Sequence, residues 1–313
     1  MHPYNRPLKQ ISNQYLTLNS VDCRIRHTSA VSPSTPCRPN LIAMISTIAV
    51  SKPELQTQQL LESTQNQARE LFLEHGALWV KNAIPRSFVD ELAAAYQQIY
   101  TDQPIKKLRK KHAVVGDQRF MISIKLKPPF NDPFLYANDI LFPMVQSILG
   151  SQCVISSFGS VLSFPGAQHQ AIHFDHPPLF ESPEACGSIP PYALTVVIPL
   201  VDINQKTGST AIWEGSHRRA TARQELEVLS ETPQWSQASV PSPDRGDAYL
   251  MDYRVIHGGM ANNADYARPI LYLVYSRPWF QDTFNFNDQK PVRFAAGERK
   301  NIPKKFRHLF ANH

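Results

Sequence analysis

The sequence predicts an α+β fold with a mainly β core, arranged as a sandwich or a barrel and flanked by helices near the N-terminus. Helical periodicity is concentrated between residues 54 and 100, whereas later residues form short apolar runs separated by Pro, Gly, Asn and Asp. A hydrophobic content of 42% in 313 residues is sufficient for a packed core. No glycine-rich loop opens a helix, so Rossmann and P-loop nucleotide sites are unsupported.

Helices are expected in the first third of the chain. Between residues 54 and 76, Leu, Ala and Phe recur near helical spacing, and Gly76 provides a stop. After a short strand, ALWV, the segment PRSFVDELAAAYQQIY predicts a second helix that begins at Pro85. Near the other end, IPKKFRHLF predicts a short helix that docks through its apolar residues and leaves its lysines in solvent.

The β part is predicted from apolar runs that lie between turn residues. The expected strands have the sequences CVISSFGSVLSF, YALTVVIPLV, STAIW, DAYLMDYRVIHG and RPILYLVYSRPW. Such a series of strands after a helical region is typical of a sandwich or barrel that carries its helices outside.

We expect residues 1–50 to lie outside a folded domain that spans residues 51–313. This first segment mixes Ser, Pro, Thr, Asn and Arg without a sustained period, and its one acidic residue is Asp22. Its composition fits an organellar transit peptide or a disordered tail. The favoured alternative is that Met44, which is followed by ISTIAVSKPELQ, is the true start.

Charge and cysteine usage limit the class of protein. The net charge of +6 comes from the two ends, while the remainder is slightly acidic. The basic cluster KKLRKKH lacks interleaved aromatic residues for base stacking, so we expect a solvated surface rather than a nucleic-acid site. The longest apolar run, residues 41–50, is too short to span a bilayer. Four cysteines without a CxxC favour a reducing, cytoplasmic setting, unless a transit peptide directs organelle import.

The segment HQAIHFDHPPLF, residues 169–180, contains the first candidate metal ligands. If it forms a strand, His173 and Asp175 project from the same face, because successive side chains alternate. A third ligand is available from His257, which ends an apolar run and is followed by two glycines. Two histidines and one aspartate form the facial triad of non-haem Fe(II) oxygenases. Alone, the His-x-Asp pair is a weak signal, since a buried histidine is more often a hydrogen-bonded core residue.

Arg268 strengthens this interpretation. It lies eleven residues after His257 at the start of an apolar strand, so we expect the two on neighbouring strands that open into one cavity. A buried arginine is costly unless it meets an anion, and guanidinium binds carboxylates bidentately. A dicarboxylate such as 2-oxoglutarate would chelate iron at one end and meet Arg268 at the other. The alternative is that Arg268 pairs with a protein carboxylate such as Asp265.

From about residue 55 to 310 the sequence resembles the phytanoyl-CoA dioxygenase-like family of Fe(II)/2-oxoglutarate-dependent oxygenases. The resemblance is carried by PGAQHQAIHFDHPPLF, TGSTAIWEGSHR, RGDAYLMDYRVIHGG and ARPILYLVYSRPWF. It implies a double-stranded β-helix, a cupin-like jelly roll, with helices packed outside. One departure is Glu214 in a turn where relatives commonly have proline.

The resemblance also implies roles for individual residues. His173, Asp175 and His257 correspond to the iron ligands, and Arg268 to the anchor of 2-oxoglutarate. Gln170 and Thr210 match positions that contact 2-oxoglutarate in relatives, although Gln170 could cap a strand and Thr210 could bond within its turn. Because Asp175 supplies a carboxylate ligand, hydroxylation is expected rather than halogenation.

The expected function is therefore hydroxylation of a small organic substrate, with Fe(II), 2-oxoglutarate and dioxygen required. Two alternatives remain: a non-catalytic metal-binding or interaction protein on the same fold, and a nucleic-acid-binding module, which has the weakest support. No membrane or nucleic-acid partner is expected. The substrate itself is not encoded in these motifs, although Phe174, Phe180 and Trp213 favour one with an apolar body.

Overall fold

The computed structural model describes residues 45–286 and 290–313. Its helices near the N-terminus are α1 (Lys52–Thr57), α2 (Glu62–His75) and α3 (Arg86–Tyr96), which continues into a π-helical turn. The single helix expected between residues 54 and 76 is therefore wrong, because the chain breaks at Gln58. That residue adopts the left-handed conformation, with φ of 51°, and ends α1.

Further helices lie between and after the strands. They are α4 (Ile105–Lys111), α5 (Pro133–Tyr136), α6 (Leu141–Leu149), α7 (Pro183–Ser188) and α8 (Ala222–Glu231). The basic cluster lies on α4, where Leu108 is buried and the lysines are exposed. A 3₁₀-helix at Lys304–Phe310 docks through Leu309 and Phe310, as expected. Among the described residues, no helix is both long and apolar enough to cross a membrane.

The strands range in length from two to ten residues. They are β1 (Thr47–Ala49), β2 (Ala77–Lys81), β3 (Ala113–Gly116), β4 (Arg119–Ser123), β5 (Lys125–Leu126), β6 (Val154–Ser163), β7 (Ala193–Pro199), β8 (Thr210–Trp213), β9 (Ala248–Asp252), β10 (Ile256–Gly259), β11 (Arg268–Ser276) and β12 (Arg293–Phe294).

Among the described residues, eight strands form one sheet in the order β1-β2-β9-β7-β11-β6-β4-β3. Strands β7 and β11 are buried along their whole lengths, which explains why their sequences are almost continuously apolar. Two smaller sheets pair β10 with β8 and β12 with β5. The protein is thus a mixed α and β structure built around one large sheet.

The expected strand DAYLMDYRVIHG is divided between two sheets. Its first half is β9 in the large sheet and its second half is β10 in a small one. The division occurs at a turn in which Val255 N–H donates to the Asp252 carbonyl at 3.0 Å, while the Asp252 carboxylate accepts from Arg254 N–H. This turn separates His257 from the large sheet.

The N-terminal boundary also differs from expectation. Residues 45–50, which the sequence placed in the first segment, include β1, and β1 pairs in parallel with β2. Ile45 and Ile48 are buried, so apolar burial rather than composition decides their placement. Residues 1–44, including Met44 and any transit peptide, lie outside the described residues.

Candidate active site

The segment that carries His173 and Asp175 is irregular, not the strand that the alternation argument assumed. It meets β10 at one bridge, where His173 and His257 exchange backbone hydrogen bonds of 2.9 and 3.0 Å. On either side the register shifts, because Gln170 N–H donates to Gly259 and Asp175 N–H donates to Tyr253. The bridge fixes His173 directly opposite His257.

Three side chains converge beside this bridge. One ligand atom each from His173, Asp175 and His257 lies within 4.8 Å of the others. The two imidazole rings are 4.3 Å apart, and Nε2 of His257 is 3.4 Å from Oδ1 of Asp175. These distances are compatible with three ligands of a single metal ion, leaving other coordination positions open.

Backbone hydrogen bonds orient both histidines. Nδ1 of His173 lies 2.7 Å from the Ala171 carbonyl, and Nδ1 of His257 lies 3.1 Å from the Val255 carbonyl. Because a carbonyl oxygen only accepts, each Nδ1 carries a proton, and in the neutral form of each ring the lone pair is then on Nε2. This is the orientation that a histidine ligand needs, with its second nitrogen held by a backbone acceptor.

Burial and neighbouring charges also set the protonation of this group. Burial, followed by the charge of His257, lowers the pKa of His173 to about 4. Burial alone would lower the pKa of His257, but the nearby Asp175 carboxylate raises it. Although burial opposes it, the charge of His257 keeps the pKa of Asp175 below its usual value. The site therefore presents an ionised carboxylate beside a neutral His173 at neutral pH.

A network of hydrogen bonds supports Asp175. Its Oδ2 accepts from the Thr195 hydroxyl at 3.1 Å, and its backbone carbonyl accepts from Nδ2 of Asn285 at 2.6 Å. Asn285 also donates to the Asp282 carboxylate at 2.9 Å, which accepts from the Tyr253 hydroxyl at the same distance. Both the carboxylate and the backbone of Asp175 are thereby restrained.

Arg268 is the first residue of β11 and is 2% exposed. Its Nη2 donates to the Ser163 hydroxyl at 2.8 Å, while its Nε has no hydrogen-bond partner. Burial lowers the pKa of Arg268, and the exposed Asp265 is not among the ion pairs of the described residues. An orphaned, buried guanidinium donor is a feature that an anionic ligand would satisfy.

The expectation that His257 and Arg268 lie on neighbouring strands is wrong, because β10 and β11 belong to separate sheets. A second arginine bridges the gap. Arg119 is fully buried, and its Nη1 and Nη2 donate to the carbonyls of Gly259 and Met260 at 3.1 and 2.7 Å. The guanidinium thus holds the backbone immediately after His257.

Gln170 and Thr210 lie on either side of Gly259. A Cβ at Gly259 would be 2.9 Å from Oε1 of Gln170, and Thr210 is the register partner of Gly259 across β8 and β10. The Thr210 hydroxyl forms a 2.8 Å hydrogen bond with the hydroxyl of Tyr249. Through Gly259, both Gln170 and Thr210 lie next to the short strand that carries His257.

The family model for phytanoyl-CoA dioxygenase (PhyH) matches residues 72–270, a range that contains every site residue described above except Asn285 and Asp282. The chain belongs to the phytanoyl-CoA dioxygenase family. It is also similar to "Dioxygenase af480" of Aspergillus fumigatus, with 26% identity over 159 residues. That match covers 50% of this chain and 48% of the relative, so the chain spans about half the length of this curated relative.

Solved structures share the fold of this phytanoyl-CoA dioxygenase family member. One is the non-heme alpha ketoglutarate dependent epimerase SnoN from nogalamycin biosynthesis, with 17% identity and a TM-score of 0.52 over 74% of this chain and 91% of that one. Another is HygX from Streptomyces hygroscopicus with nickel and 2-oxoglutarate bound, with 14% identity and a TM-score of 0.54 over 75% and 96%.

The remaining histidines of residues 169–180 lie outside the three-residue group of this family member. His169 stacks on Trp235 with ring centroids 4.6 Å apart, and His176 packs against Phe280. Neither Arg119 nor Asn285 was predicted from the sequence. Arg119 follows a turn and begins a strand, a position where a charged residue is ordinarily exposed to solvent. Its burial therefore could not be predicted from its place in the sequence.

Proposed function

We propose that this chain is an Fe(II)- and 2-oxoglutarate-dependent dioxygenase that hydroxylates a small organic substrate. His173, Asp175 and His257 would hold the iron, Arg268 would anchor 2-oxoglutarate, and Gln170 and Thr210 would line the pocket between them. The observation that carries this proposal is the convergence of two correctly oriented imidazoles and one carboxylate within 4.8 Å. We also interpret the large sheet and the β8–β10 pair as parts of a double-stranded β-helix.

The donor set suits iron and a chelating co-substrate. Two neutral nitrogens and one carboxylate leave three positions of an octahedral ion for a 2-oxo acid and dioxygen. Bound iron and 2-oxoglutarate would supply the oxidising chemistry, in which dioxygen converts the 2-oxo acid to succinate and carbon dioxide as the substrate is oxidised. The orphaned Nε of Arg268 supports a second, anionic contact for the distal carboxylate.

The protein's own residues would contribute orientation and exclusion of water. The Ala171 and Val255 carbonyls keep both Nε2 atoms aimed at the metal. Thr195 and Asn285 hold Asp175 from its side chain and its backbone. The site is largely enclosed, because only 7% of the His257 side chain and 22% of the Asp175 side chain are exposed. A reactive oxidant in such a site is shielded from bulk water.

Exposed aromatic residues support a substrate with an apolar body. Phe284 is 47% exposed and its ring lies 6.1 Å from that of His176. Trp279 and Phe180 are also exposed. Trp213, in contrast, is 5% exposed and packs in a hydrophobic cluster with Trp235, so it does not belong to this group.

The test combines metal binding with product formation. Purified protein should bind about one Fe(II) per chain, convert 2-oxoglutarate to succinate, and yield products that gain one oxygen when incubated with a metabolite extract. Alanine substitution of His173, Asp175 or His257 should abolish both metal binding and succinate formation. His169→Ala, in the same segment, is the matched control. Full iron occupancy and undiminished turnover in Asp175→Ala would refute the assignment.

A further inference from the structure

Two rows of side chains cross the large sheet on the face that holds Asp175. In the first row, Thr195 on β7, Val274 on β11 and Ser157 on β6 are register partners. Directly paired residues on adjacent strands share one face of a sheet. Because the Thr195 hydroxyl donates to the Asp175 carboxylate at 3.1 Å, this face borders the candidate active site.

The second row contains Tyr272 on β11 and Gly159 on β6, which are also register partners. A Cβ at Gly159 would lie only 2.6 Å from Cζ of Tyr272. The absence of a side chain at Gly159 therefore leaves room for the phenol ring, which lies over the strand that carries Ser157 two residues earlier. The hydroxyls of Tyr272 and Ser157 thus occupy neighbouring positions on the same face.

Both hydroxyls are available to a ligand. Ser157 is fully buried, and its Oγ has no hydrogen-bond partner within the described residues. Tyr272 is 8% exposed, and its hydroxyl takes part in none of the hydrogen bonds of that part of the chain. Burial raises the pKa of Tyr272, so the hydroxyl stays protonated and can donate. A polar group of a bound molecule would remove the cost of burying these hydroxyls without partners.

The surroundings of these hydroxyls are apolar and accessible to solvent. Tyr272 belongs to a buried cluster whose other aromatic members are Tyr192, Tyr253 and Phe280. Met121 and Val161 pack against this cluster and are only partly buried, although their strands lie inside the sheet. Solvent therefore reaches this face of the sheet, and a substrate with an apolar body would cover it.

We propose that Tyr272 and Ser157 are specificity-determining residues that bind a neutral hydroxyl or carbonyl group of the substrate, whose apolar body lies against the aromatic cluster. This inference rests on the proposed function and names its substrate class. A neutral group is favoured because a buried charge would find no counter-ion in the two rows. Their side chains are all uncharged: Thr195, Val274 and Ser157 in the first row, and Val197, Tyr272, Gly159 and Ser123 in the second.

The spacing of the strands sets the orientation of the substrate. Neighbouring strands are about 4.8 Å apart, so Ser157 lies about 10 Å from Thr195, the residue that contacts Asp175. The polar group is therefore bound at the end of the substrate that is remote from the oxidised carbon.

The experiment compares 2-naphthol with naphthalene, which lacks the hydroxyl group. Dissociation constants are measured by ligand-detected NMR on Fe(II)-loaded protein with 2-oxoglutarate and without oxygen. Wild-type protein should bind 2-naphthol about twofold to tenfold more tightly, the effect typical of a neutral hydrogen bond. Tyr272→Phe and Ser157→Ala should each reduce this preference without changing the affinity for naphthalene. Paramagnetic broadening by Fe(II) should be strongest for the ring hydrogens farthest from the hydroxyl group.

A matched control lies on the opposite face of β11. The Tyr275 hydroxyl donates to the Tyr136 carbonyl at 2.7 Å, so Tyr275→Phe should leave the ratio of the two dissociation constants at its wild-type value. An unchanged ratio in Tyr272→Phe, equal weakening of both probes, or no binding of either probe to wild-type protein would overturn this inference alone. Failure of the wild-type protein to bind Fe(II) and 2-oxoglutarate would overturn the proposed function and, with it, this inference.

Discussion

Replacing Arg268 by leucine should weaken the binding of 2-oxoglutarate without lowering the stability of the protein. The guanidinium is 2% exposed and donates to Ser163, while its Nε remains unpartnered. An arginine that serves the fold is ordinarily paired, as Arg254 is with the fully buried Asp252 carboxylate at 2.8 Å. Arg268 therefore carries a desolvation cost that no protein carboxylate within the described residues offsets.

The two arginines should respond to substitution in opposite ways. Arg254→Leu leaves the Asp252 charge buried and unpaired, which should destabilise the protein by about 3–5 kcal/mol. Arg268→Leu removes a buried charge without orphaning another, so its melting temperature should be equal to or above that of wild type. Its affinity for 2-oxoglutarate should fall about tenfold to a hundredfold, or roughly 1.4–2.8 kcal/mol, because a charge-assisted contact is lost.

The assay is an anaerobic titration of the Fe(II)-loaded protein with 2-oxoglutarate, alongside thermal unfolding. Arg268→Lys should restore affinity only in part, since a point charge cannot reproduce the planar fork of guanidinium. Iron affinity should stay near the wild-type value in both variants. Unchanged 2-oxoglutarate affinity together with a loss of stability in Arg268→Leu would show that the residue serves the fold, and the anchor would be rejected.

Three other predictions concern the surroundings of the site. Asn285→Ala removes the donor to the Asp175 carbonyl and should weaken metal binding about 10–100-fold, measured by competition with a chelator; unchanged affinity would contradict this. Gly259→Ala places a Cβ 2.8 Å from Nη1 of Arg119 and should raise the KM for 2-oxoglutarate, a result that an unaltered KM would exclude. Removal of residues 1–43 should leave the melting temperature and the succinate yield unchanged. Removal of residues 1–50 also deletes β1 and should lower the melting temperature. Equal melting temperatures for the two truncated proteins would refute this boundary.

Much of the large sheet was accessible from the sequence because its central strands are buried on both faces. Strands β7 and β11 consist almost entirely of apolar residues, so both can be recognised as strands without knowing which strands they pair with. Strands β3 to β5 were not predicted, because they are short and flanked by charged residues. The assignment of residues 45–50 to the first segment failed for a related reason, since β1 has three residues and is stabilised by its pairing with β2.

The candidate site was predictable where its chemistry is local in the sequence. The two-residue spacing of His173 and Asp175 led to them, although the segment is not a regular strand. The position of Arg268 at a strand start was informative because few buried arginines are expected. Arg119 was not predictable in this way, since its burial depends on the register of β4 against β6. Register between distant strands is a tertiary property that a single sequence does not display.

The four residues from His257 to Met260 connect the two ends of the site. Two backbone hydrogen bonds with His173 hold His257 to the segment that carries the other two candidate ligands. The carbonyls of Gly259 and Met260 accept hydrogen bonds from Arg119. Arg119 also donates to the Ser163 hydroxyl, which accepts from Arg268 as well.

An anion that orders Arg119 and Arg268 therefore also restrains the backbone that carries a metal ligand. Coupling between binding sites is reciprocal, so occupation of the metal site should tighten the anion pocket by the same factor by which the anion tightens metal binding. A short strand separated from the large sheet can therefore hold a ligand in place. The bridge to His173 fixes one edge of β10, its pairing with β8 fixes the other, and a buried guanidinium holds the carbonyls of Gly259 and Met260.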